Sequence, residues 1–293
     1  MTSTAALVHV VVSGLATGSI YALMALALVI IYNATRTLNF AQGEMLMVST
    51  FVAWAAYRAF TLPLLLTMVV AVLAAAVLAA VVERLIIQRS IASTHWDVLI
   101  ITLGLSLILR AAAGLIWTHE DFPFPSYFGE RPVAVGPVRL APVSLGIIGG
   151  SLLLMAALYG LFGFTRMGRA MRAVAQNQRA ARLMGISVER IYSLSWILAA
   201  MVGAIAGVLV APVTFLSTKM GLIVINGFTA AVIGGFGSMP GAVLGGMLLG
   251  VIENLAPLYL PSGIRYSVPF LILVGILLIR PAGLLGRVER RKV

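Results

Sequence analysis

Apolar stretches of about twenty residues follow one another along almost the whole chain. A helix needs about 20 mostly apolar residues to cross the roughly 30 Å hydrocarbon core of a bilayer. Of the 293 residues, 61% are hydrophobic and 10% are charged, whereas soluble domains are about 45–50% apolar and about 25% charged. We therefore expect an all-α polytopic membrane helix bundle. The predicted spans are 5–31, 42–60, 63–86, 97–117, 144–164, 191–212, 220–236, 240–256 and 266–280.

The glycine-rich stretch from Gly234 to Gly241 decides the number of spans. It is either a tight turn between two spans or a re-entrant break in one longer segment, which gives about 8–9 transmembrane helices. Loops rich in Arg and Lys stay on the cytoplasmic side of a membrane. Residues 165–190 and the C-terminus are both basic, so both are predicted to be cytoplasmic with an even number of crossings between them. We prefer four crossings. The basic residues concerned are Arg166, Arg169, Arg172, Arg179, Arg182, Arg190, Arg280, Arg287, Arg290, Arg291 and Lys292.

The formal net charge of +11 does not indicate nucleic-acid binding, because the basic residues lie between or after apolar runs rather than along one surface. The same charge count places the N-terminus and the loop 118–143 outside the cell, and the segment with Arg89 inside. The external loop contains five prolines, too many for a helix. We expect one membrane domain, 1–293.

Several classes of chemistry lack the residues they need. Cysteine is absent and the three histidines are far apart, so the sequence predicts no metal site. Neither lysine follows a glycine, so there is no phosphate-binding G-x-x-x-x-G-K-[ST] loop. The hydrolase pattern G-x-S-x-G is missing as well. We expect no catalytic residue and no cofactor bound by this chain.

Residues 165–190, the coupling segment, have a composition that favours a helix, because Ala and Arg are abundant. Gly185 would end that helix, and Ser187 would begin the next span as its N-cap. Residues 168–184 would form a small apolar face on one side of the helix, and the arginines on the other side would contact water or a partner protein. The sequence predicts a short cytoplasmic helix that docks; the alternative is a basic connector that only follows the charge rule. The predicted apolar face consists of Met171, Val174, Ala175, Ala181 and Met184.

Polar residues interrupt the apolar runs at two other places. Asn39, Gln42 and Glu44 lie close to membrane depth, where polar groups need partners or a water-filled cavity. We favour a capping box formed by Asn39 and Gln42, with Glu44 opposing the helix dipole. The alternative places all three beside a translocation path. Glu253 and Asn254 are weaker candidates for the same path.

Arg110 is a single charge within the fourth predicted span, about two turns from its end. Its long side chain is expected to reach the membrane surface by snorkelling. The glycines from Gly234 to Gly250 stand at helical spacing and predict close helix packing.

Five motifs, taken in order, resemble the LivH-type permease of branched-chain amino acid ABC transporters. They are Gly14–Leu23, Leu38–Glu44, Gly168–Ile186, Gly234–Gly241 and Arg280–Leu284. The resemblance covers almost the whole chain. It implies a bacterial inner-membrane location and transport by alternating access. It also implies a second homologous permease subunit, two ABC ATPase subunits that use the ATP, and an external solute-binding protein.

The same resemblance implies that the coupling segment docks in a groove of the ATPase. The residues that match this role are Gly168, Arg169, Arg172, Ala175, Arg179, Ala180, Ala181, Leu183 and Gly185. The solute would be leucine, isoleucine, valine or a similar amino acid; related permeases are also associated with urea, amides and other amino acids. A secondary carrier or channel working alone is the runner-up, although it should keep carboxylates or His at the midplane. A membrane-embedded enzyme fits least.

Overall fold

The computed structural model describes residues 4–88, 95–129, 131–135, 138–260, 267–280 and 282–286. These residues form eleven α-helices and one antiparallel strand pair. A π-helical turn, Glu83–Ile87, extends α3, and a 3₁₀ turn, Met220–Leu222, precedes α9. The helices are α1 Thr4–Thr35, α2 Gln42–Phe60, α3 Leu64–Val82, α4 His95–Trp117, α5 Pro142–Phe164, α6 Arg166–Gln176, α7 Gln178–Leu183, α8 Val188–Thr214, α9 Ile223–Gly234, α10 Met239–Tyr259 and α11 Val268–Ile279; the strands are β1 Val133–Val135 and β2 Val138–Leu140.

Six of the described helical segments are long and apolar enough to cross a membrane, which confirms the all-α polytopic bundle. Two shorter apolar segments, Met220–Gly234 and Val268–Ile279, accompany them. The predicted span 42–60 corresponds to α2, which carries Glu44 and Arg58. The six long segments are Ala6–Thr35, Leu64–Ile87, Asp97–Trp117, Pro142–Phe164, Val188–Thr214 and Met239–Tyr259.

Helix α1 is the centre of the bundle and packs against α5, α8, α9 and α10. It is apolar on all sides, as a helix surrounded by other helices must be. In its most apolar stretch of 18 residues, 89% is buried inside the bundle. Its contact with α10 is made by glycines. A Cβ atom at Gly18 would lie 2.8 Å from Met247 Cα, and one at Gly250 would lie 2.2 Å from Gly18 N. The two backbones therefore touch directly.

The stretch Gly234–Gly241 is a tight turn between two antiparallel helices, α9 and α10. Gly235 and Gly237 have φ of 103° and 96°, which side chains rarely tolerate. Ser238 caps α10, its Oγ accepting a hydrogen bond from Gly241 N at 3.1 Å. The predicted tight turn between two spans is therefore correct. A break in the helical structure at membrane depth does occur, but at another place in the chain.

That break lies before α9. Irregular backbone follows α8, bridges Leu216 to Phe122, and reaches the 3₁₀ turn that begins α9, a helix of only 12 residues. The prediction of an ordinary span over 220–236 is therefore wrong, because α9 is a half-length helix. Irregular backbone is tolerated at membrane depth only where protein or a water-filled cavity surrounds it.

The coupling segment, the end of α1, the Gly235–Ser238 turn and residues 282–286 meet at one end of the bundle, the connector end. Arg36 Nη2 donates to Ala175 O at 3.0 Å. Asn33 Nδ2 donates to Gly237 O at 3.1 Å, and Leu284 N donates to Ile233 O at 2.8 Å. The predicted cytoplasmic residues Arg89, Arg287, Arg290, Arg291 and Lys292 lie outside the described residues.

At the opposite end, the loop after α4 covers the end of α2 with aromatic side chains. Phe51 and Trp117 stack with centroids 5.0 Å apart, and Trp54 Nε1 donates to Pro123 O at 3.2 Å. The described part of this loop contains the strand pair and no helix. The prolines explain why the described part of this loop is not helical, and its contacts with Trp54 hold it against α2.

Candidate functional site

Helix α2 begins inside the bundle rather than at its surface. Arg36, with φ of 58°, reverses the chain after α1, and the chain then turns back among the helices. The first residue of α2, Gln42, is fully buried. Its Nε2 donates to Ala199 O at 2.8 Å, about three turns into α8. The start of α2 is therefore at membrane depth.

Asn39 and Gln42 do not form the predicted capping box. Asn39 Oδ1 accepts from Ala41 N at 3.0 Å, and Asn39 Nδ2 donates to Gln42 Oε1 at 3.3 Å. The N-cap position of α2 is Ala41, which makes no side-chain cap. Gln42 fails to cap because its amide is used to bind the α8 backbone. The two side chains thus join the reversed chain to α8.

Glu44 lies where α2 and α9 begin. A Cβ atom at Gly43 would lie 1.9 Å from Gly221 O, and one at Gly221 would lie 2.7 Å from Glu44 Oε1. Only glycine fits at position 43, where the obstructing atom belongs to the backbone, whereas a side chain at position 221 would displace the Glu44 carboxylate. We call Gln42–Glu44, Met220–Leu222 and Arg110 the α2–α9 junction. Helix N-termini carry partial positive charge, so the first turn of α2 favours the Glu44 carboxylate.

Arg110 is the ionic partner of Glu44, since its Nη2 donates to Glu44 Oε1. The prediction that Arg110 snorkels to the membrane surface is wrong, because the buried carboxylate attracts the guanidinium instead. The side chain of Glu44 is 2% exposed and that of Arg110 is 35% exposed. Glu44 Oε2 and Arg110 Nε are buried without a hydrogen-bond partner. The pair is therefore incompletely satisfied.

A second buried carboxylate belongs to a separate network that connects three helices. Tyr21 OH of α1 donates to Glu253 Oε2 of α10 at 2.7 Å. Asn226 Nδ2, in the first turn of α9, donates to Tyr21 OH at 2.9 Å. Asn254 instead donates to Gly250 O within its own helix, at 2.9 Å. Glu253 thus also lies beside the beginning of α9, whereas Asn254 faces α1.

The coupling segment forms two short helices, α6 and α7, rather than the single helix predicted. Asn177 separates them and caps α7, its Oδ1 accepting from Ala180 N at 3.0 Å. Gly185, with φ of 79°, ends α7 in a Schellman motif, in which Ile186 N donates to Ala181 O at 3.0 Å. Ser187 occupies the N-cap of α8 without a side-chain cap bond.

The apolar face predicted for this segment is only partly correct. Met171, Val174 and Ala181 are buried against the bundle. Met184 is 81% exposed and its neighbour Leu183 is 88% exposed, because the Schellman turn directs both away from the bundle. The tip of the segment therefore presents apolar side chains to its surroundings.

The corner between α5 and α6 depends on a glycine. A Cβ atom at Gly168 would lie 2.4 Å from Phe162 O, and Thr165 caps α6 by accepting from Gly168 N at 3.1 Å. Arg172 donates to Phe162 O across the same corner. A cavity of about 1000 Å³ opens beside it and is bordered by Arg36, Arg172 and Phe236 among others.

A family described as "Branched-chain amino acid transport system / permease component" matches residues 10–279. The chain belongs to this family. The permease protein LivH of the high-affinity branched-chain amino acid transport system in Escherichia coli K12 is 32% identical and covers 96% of each chain. BraD, the corresponding permease protein of Pseudomonas aeruginosa, is also 32% identical with 96% of each chain covered.

A solved structure shares the fold of this branched-chain amino acid permease family member. It is "PsaBC from Streptococcus pneumoniae in complex with Fab", with a TM-score of 0.51, 14% identity, and 91% of this chain and 89% of that chain covered. At this identity the likeness concerns the fold alone. It agrees with the polytopic helical bundle described above.

In this permease, the structure brings Gln42 and Glu44 together at the α2–α9 junction, with Asn39 hydrogen-bonded to Gln42. It leaves Glu253 and Asn254 on the far side of α9's first turn. Sequence reasoning missed Tyr21, although it lies within the Gly14–Leu23 motif, and Asn226, which no motif marks. It also misjudged Arg110, although a charge within an apolar span was the available signal. Among the described residues, no three His, Asp or Glu side chains cluster as a metal site requires.

Proposed function

We propose that this chain is the membrane-spanning permease subunit of an ABC importer for branched-chain and similar hydrophobic amino acids. The observation that carries the proposal is the 32% identity to LivH and BraD over 96% of the chain. Transport would proceed by alternating access, without chemical change to the solute. The proposal includes a second homologous permease, two ATPase subunits that use the ATP, and an external solute-binding protein.

The connector end supports docking of the ATPase from the cytoplasm. Its coupling segment is rich in arginine, which favours a cytoplasmic position for this end and for the C-terminus. Leu183 and Met184 are almost fully exposed there, and burying such side chains against a partner is favourable by about 1.5–3 kcal/mol each. Met171, Val174 and Ala181 fasten the segment to the bundle, so movement of the partner would be transmitted to the spans.

The α2–α9 junction supports a translocation path at membrane depth. Two helices that begin inside the membrane and buried polar side chains occur together where transporters bind their solutes. Asn39, Gln42 and Glu44 belong to this proposed path, and Glu253 borders it from the other side of α9. Asn254 is its weakest member, because its amide is occupied within α10.

The test is uptake of labelled leucine into proteoliposomes containing this chain, the second permease and the ATPase subunits. We expect uptake only with ATP inside and loaded binding protein outside, and competition by isoleucine and valine but not by lysine. The single variant Leu183→Asp places a charge at the docking tip. It should reduce ATPase association and uptake at least tenfold.

The matched control is Gln178→Glu, which adds the same charge at the first turn of α7, where a carboxylate is favoured, and keeps the length of the side chain that hydrogen-bonds Tyr192. It should retain at least half of the uptake. Uptake by this chain alone, driven by an ion gradient, would instead establish a secondary carrier. Unchanged association and uptake in Leu183→Asp would refute the role of the coupling segment.

A further inference from the structure

The ion pair between Glu44 and Arg110 at the α2–α9 junction has polar atoms that make no hydrogen bond. Glu44 is buried, yet its Oε2 has no hydrogen-bond partner. Buried polar atoms are normally satisfied, and leaving one unsatisfied costs about 1–3 kcal/mol, more for a charged group. The Nε of Arg110 is unsatisfied in the same way. One acceptor and one donor thus remain on two opposite charges in contact.

The open side of this pair is on α4. Arg110 retains 35% exposure of its side chain, although charged side chains within membrane spans face a bundle interior or a water-filled cavity rather than lipid. Leu107 and Leu103 precede Arg110 by three and seven residues, so all three share one face of the helix. These two leucines are 66% and 43% exposed. The face therefore combines a charge with an adjacent apolar strip.

We infer that Glu44 and Arg110 bind the charged head of a zwitterionic amino acid during its passage. The solute's ammonium group binds Glu44 Oε2, and its carboxylate binds the donors of Arg110 that Glu44 leaves free. Glu44 Oε2 and Arg110 Nε are buried in this conformation, so binding requires the bundle to open beside them during alternating access. The zwitterion lies beside the pair with its charges antiparallel to it, and its side chain lies along Leu107 and Leu103. This inference rests on the proposed function and names the residues that recognise the solute.

The arrangement favours a zwitterion over a solute with a single charge. A solute with only a positive charge would be attracted by Glu44 and repelled by Arg110. A solute with only a negative charge would be attracted by Arg110 and repelled by Glu44. The guanidinium is planar and binds a carboxylate through two parallel hydrogen bonds.

The experiment compares four variants in the complete complex in proteoliposomes: Glu44→Gln, Arg110→Gln, the double variant with both changes, and Arg110→Lys. Leucine uptake is measured together with complex assembly and ATP hydrolysis stimulated by the binding protein. We expect each single variant to lower uptake at least tenfold, equivalent to 1.4 kcal/mol, while stimulated ATP hydrolysis stays within threefold of wild type. We expect the double variant to remain equally impaired.

A purely structural ion pair predicts a different pattern. Removing one partner of a buried pair is costly because it leaves an uncompensated charge, whereas the double variant, with two neutral side chains, leaves none. Recovery of uptake in the double variant to within threefold of wild type would therefore overturn the inference. If complexes with the single variants Glu44→Gln and Arg110→Gln fail to assemble, the Arg110→Lys variant distinguishes the two explanations. It keeps a positive charge beside Glu44 but lacks the planar guanidinium that binds a carboxylate through two hydrogen bonds. Reduced uptake in an assembled Arg110→Lys complex supports the inference, and wild-type uptake refutes it.

The two proposals fail in distinguishable ways. If the wild-type complex shows no ATP-dependent uptake of leucine, the proposed function fails. If the wild-type complex transports leucine and the double variant does so equally well, only the assignment of Glu44 and Arg110 fails.

Discussion

The glycine contact between α1 and α10 should determine the stability of the bundle, and Gly250→Ala tests this directly. The new Cβ atom would lie 2.2 Å from Gly18 N and 2.3 Å from Gly18 Cα. Ordinary van der Waals contact begins at about 3.4 Å, so the helices must separate locally by about 1.2 Å. Both obstructing atoms belong to the backbone of the central helix and cannot move by a change of rotamer.

The expected cost follows from overpacking of a well-packed interior, which is about 1–3 kcal/mol and is highest where only backbone can yield. Replacing a helical glycine by alanine contributes about 0.8–1 kcal/mol in the opposite direction. We therefore expect a net loss of about 2 kcal/mol. At about 2–4 °C per kcal/mol, the melting temperature should fall by about 4–8 °C.

The assay is thermal unfolding of the purified protein in detergent, followed by size-exclusion chromatography of the surviving fraction. The matched control is Gly160→Ala in α5, where a Cβ atom would meet no atom within 4 Å. This variant keeps the helix-propensity gain without the collision and should be as stable as wild type or more so. If Gly250→Ala melts at the same temperature as Gly160→Ala, direct backbone contact between α1 and α10 is refuted.

Two further predictions concern the buried network and the coupling segment. Tyr21→Phe removes the hydroxyl that donates to Glu253 and accepts from Asn226, so it should lower the free energy of unfolding by about 1–3 kcal/mol in the same melting assay. The control Tyr159→Phe, at a residue that is 74% exposed, should stay within about 0.5 kcal/mol of wild type. Equal melting temperatures of the two variants would contradict the network. Gly185→Ala forces a side chain into a left-handed conformation that costs about 1–2 kcal/mol. Amide hydrogen exchange over 178–186 should then rise about tenfold, and unchanged exchange would show that the Schellman turn is not needed.

The sequence predicted what depends on hydrophobicity and local chemistry. Apolar length located most of the spans, and the glycines with their preference for positive φ located the turn between α9 and α10. Gly185 was predicted correctly as the end of α7, because a Schellman motif is encoded within a few residues. Such features need no knowledge of distant parts of the chain.

The errors arose where a distant partner overrides a local preference. Asn39 and Gln42 have the spacing of a capping box, but Gln42 lies against α8 and donates to Ala199 O. Arg110 has the length to snorkel, but Glu44, 66 residues away in sequence, holds its guanidinium. Asn177 splits the coupling helix, because its side chain caps α7. Neither apolar length nor residue spacing contains the first two of these contacts.

The half-length of α9 shows why hydropathy alone misplaces a functional region. Residues 220–236 are apolar enough to suggest a crossing, yet apolar composition reports only what surrounds the side chains and not the direction of the backbone. The contact between Gly43 and Gly221 explains where α9 begins, because it permits α2 and α9 to begin at the same depth. That shared beginning places Glu44 between two helix N-termini and leaves Arg110 on the open side. The same two glycines that make the prediction of a span over 220–236 wrong thus also bring Glu44 to Arg110, and these two residues form an ion pair at membrane depth.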